Sequence, residues 1–114
     1  MITIYHNPRC RKSRETLALI EAAGVEPEII LYLDNPPTET ELREIAIMLD
    51  MSPAQFTRTK EAEFKERGKK VGEYSEDELF ALLAETPKLI ERPIVVKDKK
   101  AVLGRPPENV KALL

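Results

Sequence analysis

The sequence predicts an α/β fold in which a βαβ unit and a ββα unit flank a helical insertion. Short runs of apolar and β-branched residues lie near both ends of the 114-residue chain, at 2–5, 29–33, 94–96 and 101–103, and such runs are typical of strands. Helix-start signals and apolar residues at helical spacing fill the segment from about 38 to 86. This order of elements predicts one domain with a helical insertion at about 38–86.

The first strand, helix and strand follow one another closely. Isoleucine alternates with Thr and Tyr over residues 2–5, which predicts a short strand. Leu17 and Ile20 lie on one apolar stripe, and Gly24 supplies the left-handed residue that commonly ends a helix. Residues 29–33 are continuously apolar and bounded by turn signals, which is typical of a strand covered on both faces, as in a parallel sheet. We therefore expect a parallel βαβ unit.

The insertion carries three helix-start signals of the same kind. Each is a capping box, in which a hydroxyl accepts from the N–H three residues later and that residue's side chain reaches back. The pairs are Thr38 with Glu41, Ser52 with Gln55, and Ser75 with Glu78. Apolar residues after the first and third signals recur at helical spacing, so each helix should bury one face. Pro87 should end the last helix of the insertion.

The C-terminal part predicts a hairpin and a short helix. Two apolar runs, 94–96 and 101–103, flank a charged turn and are typical of a β-hairpin. In the helix that follows, we expect Val110, Leu113 and Leu114 to face inward.

Composition indicates a globular domain over residues 1–114, with 42% hydrophobic and 33% charged residues and a net charge of -2. No apolar run approaches the roughly 18 residues needed to span a bilayer, and we see no secretion signal at the N-terminus. A single cysteine cannot form an internal disulfide, which suits a reducing compartment, so we expect the cytoplasm. The mild acidity argues against nucleic acid as a partner.

The one cysteine lies in an unusual setting. From His6 to Arg14 there are four Arg or Lys residues and no acidic one, and Cys10 stands where a helix begins. Lowering a thiol pKa by about two units requires roughly 2.7 kcal/mol, whereas a helix N-terminus supplies at most about 2 kcal/mol. Neighbouring cations must provide the rest, and the local candidates are His6, Arg11, Lys12 and Arg14. This pattern favours a reactive thiolate over a small buried hydrophobe.

Spacing and residue counts exclude three alternative uses of this cysteine. A phosphatase-type anion loop needs Cys-x5-Arg, but Thr16 stands at that position. A Cys-x-x-Cys redox pair needs a second thiol where Ser13 stands, so any covalent adduct on Cys10 depends on an outside thiol. A zinc site is excluded because the chain has one cysteine and one histidine.

Four motifs resemble the glutaredoxin-coupled arsenate reductase family, and the likeness covers essentially the whole chain. They are His6-Asn7-Pro8-x-Cys10-x-x-Ser13-Arg14, Ile30-Leu31-Tyr32-Leu33-x-Asn35-Pro36-Pro37, Arg92-Pro93-Ile94-Val95-Val96 and Arg105-Pro106. The resemblance implies a thioredoxin-like fold: a mixed sheet of βαβ and ββα halves with a helical insertion between them. It also implies a cis bond at Arg92-Pro93, facing the cysteine.

The resemblance further implies a role for each site residue. Cys10 would attack arsenic and form a thiol–arsenate adduct, and His6 would help to hold the thiolate. Arg58, Arg92 and Arg105 would bind the oxyanion, for which the planar guanidinium fork is well suited. Glutathione as thiol co-substrate and then glutaredoxin would supply the electrons, with no bound cofactor, and arsenite would leave. A monomer is expected.

Plainer interpretations of these residues remain open. Arg58 could be a solvated residue near a helix end, and Arg92 and Arg105 could be surface arginines beside prolines. His6 could be a turn or core residue satisfied by hydrogen bonds.

Two other functions stay open on the sequence. One is a regulator of the same fold that binds RNA polymerase, like the Spx-type proteins; those typically carry Cys-x-x-Cys, which Ser13 removes here. The other is a glutathione-dependent thiol oxidoreductase without arsenic chemistry. The arginine trio favours an oxyanion over a plain disulfide as substrate.

Overall fold

The computed structural model describes residues 1–114 and has the predicted α/β order. The helices and strands are β1 (Ile2–His6), α1 (Arg11–Ala22), β2 (Glu28–Leu31), α2 (Glu39–Leu49), α3 (Ala62–Lys65), α4 (Glu76–Glu85), β3 (Ile94–Lys97) and β4 (Lys100–Leu103). Short 3-10 helices cover Pro53–Phe56, Val71–Glu73, Pro87–Leu89 and Pro107–Leu113. None of the helices is both long enough and apolar enough to cross a membrane.

The chain divides into two compact units. The first combines Met1–Asn35 with Arg92–Leu114 and contains all four strands, and the second is Pro36–Glu91. The assignment of the whole chain to a single domain stays a prediction.

The first unit is built on a mixed four-stranded sheet. The strand order is β2-β1-β3-β4, with β1 parallel to β2 and antiparallel to β3, and with β3 antiparallel to β4. Tyr5 of β1 lies opposite Ile30 on one side and Ile94 on the other. The mixed sheet and the predicted hairpin are therefore confirmed. β1 is therefore an inner strand, and its last residue, His6, pairs with Leu31 of β2.

The core of this unit lies where α1 and the C-terminal 3-10 helix pack on each other and on the sheet. Ile4, Ile20, Val95 and Val110 are fully buried there, and burying each such side chain contributes about 1.5–3 kcal/mol. Leu114 was expected to face inward but is 42% exposed, and it lies one residue beyond the end of the C-terminal 3-10 helix at Leu113.

The prediction that residues 29–33 form a strand covered on both faces is wrong. The strand ends at Leu31, and Ile29, Leu31 and Leu33 are 45%, 38% and 45% exposed. The reason is the strand order: β2 lies at the edge of the sheet and pairs only with β1. Tyr32, just beyond the strand, is buried.

In the second unit all three predicted capping signals start a helix, and the helices after Thr38 and Ser75 are α-helices. At Thr38 and Ser75 the hydroxyl accepts from the N–H three residues later, and that residue's glutamate accepts from the cap N–H. At Ser52 the cap N–H donates to Gln55 over 2.8 Å, but the helix is a single 3-10 turn. Helix α4 ends at Glu85, before Pro87, as predicted.

Candidate active site

The loop between β1 and α1 presents Cys10 at the start of the helix. Cys10 is the N-cap residue of α1, and its N–H donates to the Asn7 carbonyl oxygen over 3.0 Å. The Asn7 side-chain oxygen accepts from the Arg9 N–H at 3.0 Å. Asn7 therefore accepts two hydrogen bonds within the turn, one at its backbone oxygen and one at its side-chain oxygen. Together they fix the backbone that carries the sulfur.

The electrostatic setting of the thiol favours its ionised form. Burial raises the pKa of Cys10, but the N–H of Ser13, the Arg92 guanidinium and the N–H of Lys12 lower it, and the net pKa is below its usual value. The first-turn N–H groups belong to the positive end of the helix dipole. The predicted depression of the Cys10 pKa thus has a structural basis.

Two of the cations expected to cause this shift, Arg11 and Arg14, are bonded to other partners. The Arg11 side chain pairs with Glu15 at 3.0 Å, one turn along the helix. The Arg14 guanidinium donates to the Pro8 carbonyl oxygen at 2.9 Å. The guanidinium that lowers the pKa of Cys10 is that of Arg92, which comes from the C-terminal part of the chain.

A second arginine stands beside the same sulfur. Arg105 Nη1 lies 4.0 Å from Cys10 Sγ and donates to the Arg92 carbonyl oxygen over 3.2 Å. The Arg92–Pro93 and Arg105–Pro106 peptide bonds are both cis. The structure thus brings together Cys10, Arg92 and Arg105, as the sequence-based hypothesis requires.

The two arginine-proline segments meet α1 at Gly104. The Gly104 N–H donates to the Pro93 carbonyl oxygen at 2.9 Å, and Thr16 Oγ1 lies 3.4 Å from the Gly104 carbonyl oxygen. A Cβ at Gly104 would overlap Thr16 Oγ1 and come within 2.7 Å of Pro93 Cγ. Only glycine allows this approach, which sets the distance between the arginines and the start of the helix. Thr16, which stands where a Cys-x5-Arg motif would have its arginine, is part of this contact.

His6 is buried and bonded to Ser13. Its Nδ1 lies 2.7 Å from Ser13 Oγ, and that oxygen also accepts from the Asn7 N–H at 3.0 Å. Burial and the charge of Arg14 lower the pKa of His6, against an opposing effect of Glu21. A neutral ring is consistent with Ser13 donating its proton to Nδ1, which places the ring proton on Nε2.

Ser13 is the residue whose role the sequence did not reveal. In the sequence it shows only that a second cysteine is absent at this position, yet it is completely buried and links His6 to the cysteine loop. A serine in the first turn of a helix that follows a His-Asn turn is the signal that could have pointed to it.

Arg58 belongs to the second unit, where two carboxylates hold it. Its Nη1 donates to Glu91 Oε1 at 2.8 Å and its Nε donates to Glu61 Oε1 at 3.1 Å. Its side chain is partly buried, so it is not the solvated residue of the plainer interpretation. Its part in oxyanion binding stays a prediction.

A model of the ArsC family matches residues 5–113 of the chain. The chain belongs to the ArsC family.

Several relatives of this ArsC protein match it over more than nine tenths of their length. It is 48% identical over 110 residues to the uncharacterized protein YfgD of Escherichia coli K12, which covers 96% of this chain and 92% of that protein. It is 46% identical to an arsenate reductase of Haemophilus influenzae, covering 99% of this chain and 98% of that one. Its fold matches the solved arsenate reductase of Vibrio cholerae with a TM-score of 0.94 at 47% identity, over 99% and 97% of the two chains.

The site of this ArsC protein places a thiol with a lowered pKa beside the guanidinium groups of Arg92 and Arg105. A thiolate attacks electron-poor centres, and the guanidinium groups of Arg92 and Arg105 match the oxygens of a tetrahedral anion. The N–H groups in the first turn of α1 add further positive potential. The arrangement can therefore hold an oxyanion while the sulfur attacks its central atom.

Proposed function

We propose that this protein reduces arsenate to arsenite with Cys10 as the nucleophile. The observation that carries the proposal is the position of Arg105, whose Nη1 lies 4.0 Å from Cys10 Sγ. A positive fork beside a thiolate binds a doubly charged oxyanion next to the atom that must attack it. The relatives named arsenate reductase support the choice of arsenic, since phosphate has the same shape and charge.

The first step forms a covalent adduct. The Cys10 thiolate attacks arsenic(V), an As–S bond forms, and one arsenate oxygen leaves as water after gaining two protons. Arsenic keeps its oxidation state in this step. The adduct is bound to Cys10 alone, because the chain contains no other cysteine.

Outside thiols complete the reduction. Glutathione and then glutaredoxin each contribute one thiol, their sulfurs end as a mixed disulfide, and the two electrons released reduce arsenic(V) to arsenic(III). The As–S bond to Cys10 breaks and arsenite leaves, so Cys10 returns as the thiolate. Overall, one arsenate and two thiols give one arsenite, one disulfide and one water. This chemistry requires a reducing compartment, for which we propose the cytoplasm, and it requires no bound cofactor.

Three arginines and a histidine complete the proposed machinery. Arg92, Arg105 and Arg58 bind the arsenate oxygens, and each charge-assisted bond contributes about 1.5–3 kcal/mol. Arg58 is bonded to Glu61 and Glu91 within the second unit, and its proposed role toward arsenate comes from the family resemblance. His6 supports the thiolate through the Ser13 network rather than as a cation, since its pKa is lowered. The protein is proposed to act as a monomer.

The test is a coupled assay with arsenate, glutathione, glutaredoxin, glutathione reductase and NADPH. We expect arsenate-dependent NADPH oxidation and arsenite formation by the wild-type protein, and neither with Cys10→Ser. Mass spectrometry of protein incubated with arsenate before glutathione is added should show an adduct on the peptide containing Cys10.

The assay also separates the competing functions. Turnover of a glutathione mixed disulfide without arsenate would favour a general thiol oxidoreductase. A lack of arsenite formation by the wild-type protein, together with retention of RNA polymerase in a pull-down, would favour the regulator. Ser52→Ala, far along the chain from the cysteine loop, is the matched control and should retain full activity.

A further inference from the structure

We propose that Asn109 is a positioning residue that holds Arg105 beside Cys10, an inference that rests on the proposed oxyanion site. Its Nδ2 donates to the Leu103 carbonyl oxygen at 3.1 Å and to the Arg105 carbonyl oxygen at 3.2 Å. Asn109 does not touch the thiol. Its effect on the site therefore passes through Arg105.

The two accepting carbonyl groups bracket the segment that carries the arginine. Leu103 is the last residue of β4, and the Asn109 N–H donates to the Pro106 carbonyl oxygen at 3.0 Å, at the start of the C-terminal 3-10 helix. One side-chain amide with two N–H donors thus ties the end of a strand to the start of a helix. Residues between these anchors have little freedom to shift.

Arg105 needs such support because its own side chain is exposed. A solvent-exposed arginine loses considerable rotamer freedom when it is held in one place. Its contacts include the Arg92 carbonyl oxygen at 3.2 Å and the Cys10 sulfur at 4.0 Å. A small movement of the backbone at Arg105 would be magnified at the guanidinium, which lies at the end of a long side chain.

The test compares alkylation of Cys10 by iodoacetate, an anion, with alkylation by iodoacetamide, which is neutral. Both reagents react with the same thiolate, so the ratio of their rates cancels the thiol pKa and reports the positive charge near the sulfur. We expect Asn109→Ala to lower this ratio about threefold to fivefold, the factor that one cation about 4 Å away contributes in water. Arg105→Ala should produce the same fall.

A double variant separates positioning from general damage. If Asn109 acts through Arg105, Asn109→Ala should lower the ratio no further in the Arg105→Ala background. Lys111→Ala removes an exposed cation from the same helix and should leave the ratio unchanged. Asn109→Leu, which removes both donors without adding charge, serves as a second variant and replaces the alanine variant if that protein does not fold.

Two results would overturn the proposal. One is an Asn109 variant that is folded, as its melting temperature shows, and that keeps the wild-type ratio of alkylation rates. The other is a fall in this ratio on Asn109→Ala that is equally large in the wild-type and Arg105→Ala backgrounds. Because no arsenate is present, the outcome is distinct from that of the turnover assay: a protein that fails to reduce arsenate would remove the proposed function while the alkylation ratio would still report on Asn109.

Discussion

The Ser13 hydroxyl lies 2.7 Å from Nδ1 of His6, and both side chains are buried beneath the cysteine loop. The same oxygen accepts from the Asn7 N–H, which belongs to that loop. One hydroxyl therefore joins the end of β1, the loop and the first turn of α1. Buried polar groups in such a network are costly to leave without partners.

Replacing Ser13 by alanine should destabilise the protein by about 1–3 kcal/mol, because two buried groups lose their partner. Urea unfolding followed by circular dichroism measures the change. Ser52→Ala is the control, since the Ser52 hydroxyl makes only a 3.4 Å contact with Gln55, and it should cost less than about 0.5 kcal/mol. Equal effects of the two substitutions would contradict the assigned role of Ser13.

The pH dependence of stability should reveal His6, which is the one histidine of the chain. The pKa of His6 is lower in the folded protein than in the unfolded chain, where it is about 6.5. As pH falls through that value, the unfolded chain binds a proton that the folded protein does not, so the free energy of unfolding decreases. Above about pH 7.5 the His6 ring is neutral in both the folded and the unfolded state, so it no longer contributes to the slope of the unfolding free energy against pH.

Urea unfolding of wild type and His6→Gln between about pH 5 and 8 provides the measurement. The variant should lose the part of the slope that begins near pH 6.5. Parallel stability curves for the two proteins would mean that His6 titrates alike in the folded and unfolded states.

The Cys10 thiolate should titrate below the ordinary pKa of cysteine, and Arg92→Ala should move that pKa upward because a cation is lost. Absorbance at 240 nm as a function of pH follows the thiolate. Arg11→Ala is the matched control, because Arg11 pairs with Glu15, and it should leave the midpoint in place. A larger shift from Arg11→Ala than from Arg92→Ala would restore the local cations as the cause.

Gly104→Ala should be destabilising by about 1–3 kcal/mol, because the added methyl group would overlap Thr16 and crowd Pro93. Thermal unfolding measures the loss. Gly72→Ala adds the same group where no heavy atom lies within 4 Å, and its melting temperature should stay close to that of the wild type. The interpretation of Gly104 as a point of close approach fails if the two variants melt together.

Arg105→Lys should raise KM for arsenate about tenfold, because lysine keeps the charge but loses the fork, and the loss of one charge-assisted bond corresponds to about 1.5 kcal/mol. The coupled assay measures it over a range of arsenate concentrations. Arg43→Lys changes an arginine that pairs with Asp77 at 2.8 Å, and its KM should match that of the wild type. An unchanged KM in Arg105→Lys would make Arg105 a peripheral residue.

Local patterns were sufficient to predict most of the fold. The alternation in β1, the capping boxes at Thr38 and Ser75, and the glycine after α1 act over a few residues, and each formed as expected. The exposure of β2 could not be predicted in this way, because a continuous apolar run does not reveal whether its strand lies inside the sheet or at the edge. That position depends on the strand order, which is set by the whole first unit.

The candidate site likewise has one feature that nearby residues predict and one that depends on residues distant in the sequence. Cys10 at the start of a helix follows from nearby residues, whereas the cation that lowers its pKa is Arg92, at the far end of the chain. Charge counting near the cysteine selected Arg11 and Arg14, which are taken up by local partners. The family resemblance pointed to Arg92 and Arg105, and residue spacing alone did not.

Ser13 in place of a second thiol has a consequence for oxidative stress. Peroxide attacks ionised sulfur first and converts it to a sulfenic acid, which a neighbouring cysteine would normally trap before further, irreversible oxidation. Cys10 has no such neighbour in the chain. Its survival during a burst of oxidant therefore depends on how fast the surrounding pool of small thiols can cap it.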